Sequence, residues 1–395
     1  MINTITDDQG NQYELKQISN DTLFGLELIE VVTPPPPTGD TITFISGGDP
    51  HNEGNPNNPN ELSEGLLILD ALDWDFGLMA GDEVVAWQRS LSDFQRARGQ
   101  YETGLPVHGA ESLYHCRGNH DPRPIWGQVF APTGENENYN NKPYQTVGDY
   151  DGYYFDVGQN LRIVVMCDFT AGLSPGGEDD LPFNPPASTR ASGHQKLAKL
   201  DRFEGWVEDG IAQDKIIVIL QHQGTKDTIA GTEEWGHKKL VQQTETPNYG
   251  ANNLEDERRR GYTGLIQNEE TGLDNIPMPG DSDQTRRIKD WYNLHGDKIA
   301  LVISGHTHPE FLGAEWNGKG LFETAYGTHF VNTCPLNTYV GVNHLNVMKA
   351  LRHTITGNQL KIETIVLKDP HGTYADGEVV ESLTKTIILH TNFIL

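Results

Sequence analysis

From Asp40 to about residue 306 the chain alternates short apolar runs with segments whose apolar residues recur every three or four positions. The first pattern reads as strands buried on both faces, the second as helices with one buried face. Strands are predicted at TITFIS (41–46), FGLMAG (76–81), SLYHCR (112–117), YYFDVG (153–158), LRIVVMCD (161–168), KIIVILQH (215–222) and IALVISGH (299–306). Gly158, Gln159 and Asn160 between the fourth and fifth runs predict a hairpin. Helices are predicted over 60–74, where Leu62, Leu66 and Leu69 share a face, over 84–100, over 194–209 with Leu197, Leu200, Phe203 and Val207, and around 283–294. The tail from 320 to 392 is strand-like, in GLFETAYG, HLNVMKALRHTIT, QLKIETIVLK and SLTKTIILHT. Strands alternating with helices predict an α/β domain.

Four consecutive prolines, Pro34 to Pro37, favour a stiff extended segment and divide the chain. They separate an arm, 1–38, from a main domain, 39–395. The arm holds two strand-like stretches, QYELKQI and TLFGLELIEVV, and is too short for a core of its own. It is therefore expected to pack on the main domain or to serve a homo-oligomer. Two stretches, 171–193 and 224–281, lack periodicity and are rich in Gly, Pro, Asp and Asn, as lids and binding loops are.

Composition narrows the partners. With 29 basic and 56 acidic residues the formal net charge is -27. Such a surface repels nucleic-acid backbones and anionic membranes, which disfavours an extended nucleic acid as substrate. Three cysteines, Cys116, Cys167 and Cys334, cannot build a disulfide framework, and the first two read as buried thiols. The start, MINTITDDQG, has neither the basic nor the apolar region of a secretory signal, and no run approaches the ~20 apolar residues of a membrane span.

The candidate chemistry lies where apolar runs end. Asp49-Pro50-His51 follows TITFISGG, Gly81-Asp82 follows FGLMA, and Gly118-Asn119-His120-Asp121 follows SLYHCR. His222 follows KIIVILQ, and Gly305-His306-Thr307-His308 follows IALVIS. Ligands of α/β sheets bind at the carboxyl ends of strands, so these motifs are expected to converge. Asp49, His51, Asp82, Asn119, His222, His306 and His308 offer oxygen and imidazole donors without a thiolate, a set suited to Mn, Fe or Zn. Seven donors exceed one tetrahedral ion but suit two ions sharing a carboxylate. Such a pair polarises a phosphoryl oxygen and lowers the pKa of a water held between the ions.

In this order, D-x-H, GD, GNHD, a strand-end His and GHTH, the pattern resembles the calcineurin-like metallophosphoesterase superfamily from about residue 41 to 310. The resemblance implies a four-layer α-β-β-α sandwich with two mixed sheets. It implies two divalent or mixed-valence ions, one held by Asp49, His51 and His308, the other by Asn119, His222 and His306, with Asp82 bridging. His120 would bind the phosphate or protonate the leaving oxygen, oriented by Asp121. The chain departs from the purple acid phosphatases in having Val85 three residues after Asp82, where they carry a metal-binding Tyr. Gln223-Gly224 stands after His222 where proline is frequent.

The activity expected is hydrolysis of a small phosphate ester, a diester slightly ahead of a monoester. A non-catalytic binding or particle-assembly protein retaining the fold is the alternative, and a hydrolase of another ester a third. Ordinary packing is the reading for His115, a surface ion pair for Arg117, and a solvated helix face for Arg258, Arg259 and Arg260. His329 and Trp235 are lesser pocket candidates.

Overall fold

The computed structural model describes residues 3–6, 12–15, 40–51, 58–84, 90–118, 121, 126–127, 129–130, 145–146, 152–166, 193–222, 291–305, 321–333, 335–338 and 347–395. The arm contributes β1 (Asn3–Thr6) and β2 (Gln12–Leu15), an antiparallel pair in which Asn3 faces Leu15. QYEL thus finds its partner upstream of the stretch predicted, and residues 16–39 lie outside the described set.

Two mixed sheets form the body. The six-stranded sheet contains β3 (Thr41–Gly47), β4 (Phe76–Met79), β5 (Leu113–His115), β13 (Met348–Thr356), β14 (Gln359–Lys368) and β15 (Lys385–Ile388), in the order β15-β14-β13-β3-β4-β5. Strands β3, β4 and β5 run parallel, and the others antiparallel. The seven-stranded sheet comprises β6 (Gln145–Thr146), β7 (Gly152–Val157), β8 (Leu161–Met166), β9 (Ile216–Gln221), β10 (Ile299–Ser304), β11 (Phe322–Ala325) and β12 (Thr328–Asn332). Its order is β11-β12-β10-β9-β8-β7-β6, with β12, β10, β9 and β8 parallel. The expected hairpin is present as β7–β8.

Alternation along the strands separates two cores. Ile163, Val165, Ile216, Val218, Leu220, Leu301 and Ile303 face the six-stranded sheet and join its inner residues Phe44, Phe76 and Leu78. Val164, Met166, Ile217, Ile219 and Val302 face outward, where Phe203 and Val207 of one helix and Trp291 and Tyr292 of another cover them. That covering helix is α3 (Gly193–Ala212). On the opposite outer face lie α1 (Glu61–Asp70) and α2 (Leu91–Gly104). Leu62, Leu66 and Leu69 of α1 are buried as their spacing predicts, each contributing roughly 1.5–3 kcal/mol. The helices pack closely, since a Cβ on Gly104 would lie 2.6 Å from Leu66 Cβ. Helix, sheet, sheet and helix make the expected four-layer α-β-β-α sandwich with two mixed sheets.

Two boundaries differ from the sequence reading. The second helix begins at Leu91 rather than 84, because Ser90 and Asp93 form a reciprocal capping box that stops it there. Strand β12, in YGTHFVN, was not singled out, yet it extends the parallel set beside β10. Of the helix predicted around 283–294 only residues from 291 are described, as helix to 295. The stretch 224–281 lies outside the described residues, as does 171–192. Among the described residues no helix is long and apolar enough to cross a membrane.

One imidazole sits between the sheets. His353 on β13 stacks on Phe44 with ring centroids 4.6 Å apart, and its Nε2 lies 2.8 Å from Ser46 Oγ. Its Nδ1 has no hydrogen-bond partner, so a second proton there would be buried and unsatisfied. Burial accordingly lowers the His353 pKa to about 3. The folded state therefore keeps this ring neutral while the unfolded chain protonates it below its ordinary value near 6.5. Stability from this residue is complete above about pH 6.5 and is lost as pH falls toward 3. Urea unfolding at pH 7 and pH 5 should show the wild type losing about 2 kcal/mol more than His353→Gln. Equal losses would mean that the fold tolerates the imidazolium.

Candidate metal centre

Parallel β3, β4 and β5 end on the same side of one sheet, and parallel β9 and β10 end on the same side of the other. Asp49 and His51 follow β3, Asp82 follows β4, Gly118 and Asp121 follow β5, His222 follows β9 and Gly305 follows β10. The structure brings these ends together. Ligand atoms of Asp49, His51 and Asp82 all lie within 4.8 Å of one another. His51 Nε2 is 3.8 Å from Asp82 Oδ2, and His222 Nε2, reaching across from the other sheet, is 3.3 Å from the same oxygen. Asn119, His120, His306 and His308 lie outside the described residues, as do Arg258, Arg259, Arg260, Trp235 and Val85.

The backbone is bent to make this possible. Asp49, His51 and Asp82 have φ of 49°, 41° and 56°, the left-handed region that L side chains avoid. Such conformations cost on the order of 1–3 kcal/mol each and persist where surrounding bonds impose them. Here Asp49 N donates to Gly81 O at 2.9 Å and His51 N to Asp82 O at 3.1 Å, lacing the first motif to the second. Gly81, at φ 89°, could not carry a side chain, because its Cβ would sit 2.5 Å from Gly118 N. Gly305 approaches so closely that a Cβ there would collide with the Asp49 carboxylate.

Electrostatics and tautomer both fit a cation. Asp49 and Asp82 are buried with His222, and two neighbouring carboxylates withdrawn from water need positive charge beside them. His222 Nδ1 lies 2.6 Å from the Ala80 carbonyl oxygen, which can only accept, so the proton is on Nδ1. That turns Nε2 toward Asp82 Oδ2, the arrangement by which a backbone carbonyl orients a metal-ligating imidazole. The His51 side chain remains 12% exposed, so the cluster is reached by solvent on that side. Carboxylate and imidazole donors so placed could hold a divalent metal ion.

Asp121 joins the second and third motifs. Its Oδ2 accepts from Asp82 N at 2.9 Å and Gly118 N at 2.8 Å, and its Oδ1 from Glu83 N at 2.9 Å. Burial, followed by the charges of Asp82 and Glu83, pushes its carboxyl well above the ordinary value, and the Gly118 N–H opposes this. His115, read as a packed residue, is buried, with Nδ1 2.6 Å from Glu83 Oε1. Tyr101 Oη donates to the other Glu83 oxygen at 2.7 Å, so a buried trio backs the residue next to Asp82.

Arg117, expected at the surface, is not there. Arg117 is fully buried beneath the third motif, with Nη1 3.5 Å from the Asp121 carbonyl, because β5 ends inside the molecule. His329 is not in the cluster; it lies within β12, its Nδ1 2.9 Å from Thr324 Oγ1. Two supporting residues were missed. Asn332 Nδ2 donates to Gly305 O at 3.2 Å, and Asn337 Nδ2 to Asp49 O at 2.7 Å. The first stands at the end of an apolar run, FVN, so the strand-end rule applied to β12 would have found it.

No protein-family model matches the chain, and no curated protein matches it. Solved structures of similar shape include a dimetal phosphatase from Danio rerio, 11% identical, with 85% of this chain and 98% of that one covered and a TM-score of 0.48. GAP50, the anchor in the inner membrane complex of Plasmodium, is 12% identical over 90% of each chain, with a TM-score of 0.43. PhoD is 11% identical over 91% of this chain and 74% of its own, with a TM-score of 0.46. At such identities and scores the functional reading rests on the residues of the site itself.

Gly305→Ala places a methyl group where the Asp49 carboxylate lies. It should weaken Mn(II) binding in calorimetric titration by about tenfold or more. Stability should fall by only about 1–3 kcal/mol, with the circular dichroism spectrum retained. Undiminished affinity would remove Asp49 from the ligand set.

Proposed function

We propose that this chain is a calcineurin-like metallophosphoesterase that hydrolyses a small phosphate ester at a two-ion centre. The reading is supported above all by the meeting, from both sheets, of Asp49, His51, Asp82 and His222, with the His222 tautomer fixed for ligation. Asp49, His51 and His308 would hold one ion and Asn119, His222 and His306 the other, with Asp82 shared between them. The chemistry such ions supply is Lewis acidity at a phosphoryl oxygen and a nucleophile available at neutral pH.

The chain's own residues do the rest. The Asp49 and Asp82 carboxylates, held on strained backbone, set where positive charge sits and hence where a phosphate docks. His120 binds that phosphate or delivers a proton to the leaving oxygen, an imidazole being suited to proton transfer near neutral pH. Asp121 braces the ends of the loop through Asp82 N and Gly118 N and would orient the His120 ring. The net charge of -27 favours a compact substrate whose phosphate is neutralised locally over a long polyanion. The GNHD form and Val85 favour a diester over a monoester.

The protein loaded with Mn(II) should turn over p-nitrophenyl phosphate, bis(p-nitrophenyl) phosphate or both, the diester faster. Absence of turnover on either ester, with metal shown bound by elemental analysis, would favour a binding or assembly role instead. His120→Ala should keep its metal and lose ~10²-fold or more in kcat. Asp82→Ala should lose both ions, and two retained ions would contradict a shared carboxylate.

A further inference from the structure

The turn that bears Asp49 and His51 is held from two directions. Its N–H groups point to the end of β4, with Asp49 N bonded to Gly81 O and His51 N to Asp82 O, while Pro50 between them has no N–H to place. Its carbonyls point the other way. Asn337 Nδ2 carries two N–H donors, and they reach Asp49 O at 2.7 Å and Pro50 O at 3.2 Å. Asn337 is 3% exposed, so these bonds are sheltered from water.

The segment around Asn337 is itself fastened. Gly48 and Pro335 form a parallel bridge, and Leu336 N donates to Gly48 O at 2.8 Å. The Leu336 side chain fills the space over Gly47, where a Cβ would lie 2.5 Å from Leu336 Cδ1. On the other side of Asn337, Thr338 N donates to Glu61 Oε2 at 3.0 Å and Thr338 Oγ1 donates to Glu61 Oε1. Glu61 is buried and is the first residue of α1, where a carboxylate is favoured by the helix dipole.

We propose that Pro335–Thr338 is a positioning strap for the metal-ligand turn, in which Asn337 holds Asp49 and His51 in register and Glu61 anchors it through Thr338. The inference rests on the metal-centre reading. Asn337 takes the carbonyl of Asp49 itself, so a shift of its amide rotates the plane that carries the ligand side chain. Thr338 and Glu61 act at one remove.

The test uses the full chain and Mn(II) alone, with free Mn(II) followed by electron paramagnetic resonance. Asn337→Leu should bind Mn(II) about tenfold or more weakly, the scale for residues that orient ligands. Thr338→Val should weaken binding in the same direction, and Thr338→Ser, which restores the hydroxyl, should bind as the wild type does. In metal-free protein, hydrogen exchange at the His51 amide should be faster in Thr338→Val than in wild type or Thr338→Ser, while exchange at Ile219 is unchanged. If Asn337→Leu does not fold, the Thr338 pair decides. A wild type that binds Mn(II) beside a Thr338→Val protein with equal affinity and equal exchange would overturn the strap alone. A wild type that binds none would overturn the metal reading, and with it a strap that serves ligands, even if His51 exchange responded.

Discussion

The hydrogen bond from His222 Nδ1 to the Ala80 carbonyl ties the end of one sheet to the end of the other, and the site is built around it. It fixes which imidazole nitrogen is protonated, and thereby presents the other to Asp82. Without it, the His222 imidazole would not be held against the carboxylates supplied by β3 and β4. Ala80 lies directly after β4, and Ala80 N is bonded to Gly47 O, so this carbonyl is as rigid as the sheet beneath it. A donor set assembled on strand ends inherits the precision of the strands.

Strain is concentrated at the same place. Asp49, His51 and Asp82 are three of the five described non-glycine residues with positive φ; Asp214 and Tyr326 are the others. Asp and His tolerate the left-handed region better than most L residues, yet the conformation still costs energy. It is imposed by bonds to Gly81, Asp82 and Asn337, each from another element. Close glycines then let the turns approach without room for a solvent layer, as Gly305 does against Asp49. The energy stored in the turns is offset by burial elsewhere, in the continuous core shared by both sheets.

Much of this was legible in the sequence because each functional group stands where an apolar run stops. The runs themselves placed β3, β4, β5, β7, β8, β9 and β10, and the four described ligand candidates all lie directly after one of them. The start of α2 was misread because Val84 and the apolar residues after it resemble a helix face, whereas the capping bonds of Ser90 decide the boundary. Strand β12 was passed over because it is short and half polar. Asn337 left no local trace at all. Its significance is a contact with a residue 288 positions away, and no periodicity encodes a partner at that distance. Arg117 misled for a related reason: a charge in sequence says nothing of whether its strand ends at the surface or inside.

The placement of Pro335–Thr338 beside Gly48 also orders events during synthesis. A ribosome making this chain releases Asp49 and His51 long before Asn337, and until Asn337 emerges the two carbonyls it satisfies must be solvated. The early strands can pair, yet their shared turn is free to relax out of its left-handed backbone. The turn is therefore fully bonded only after residue 337 has been made. A chain cut short before residue 335 would keep all seven candidate ligands and still lack the bonds that Asn337 makes to the turn carrying two of them.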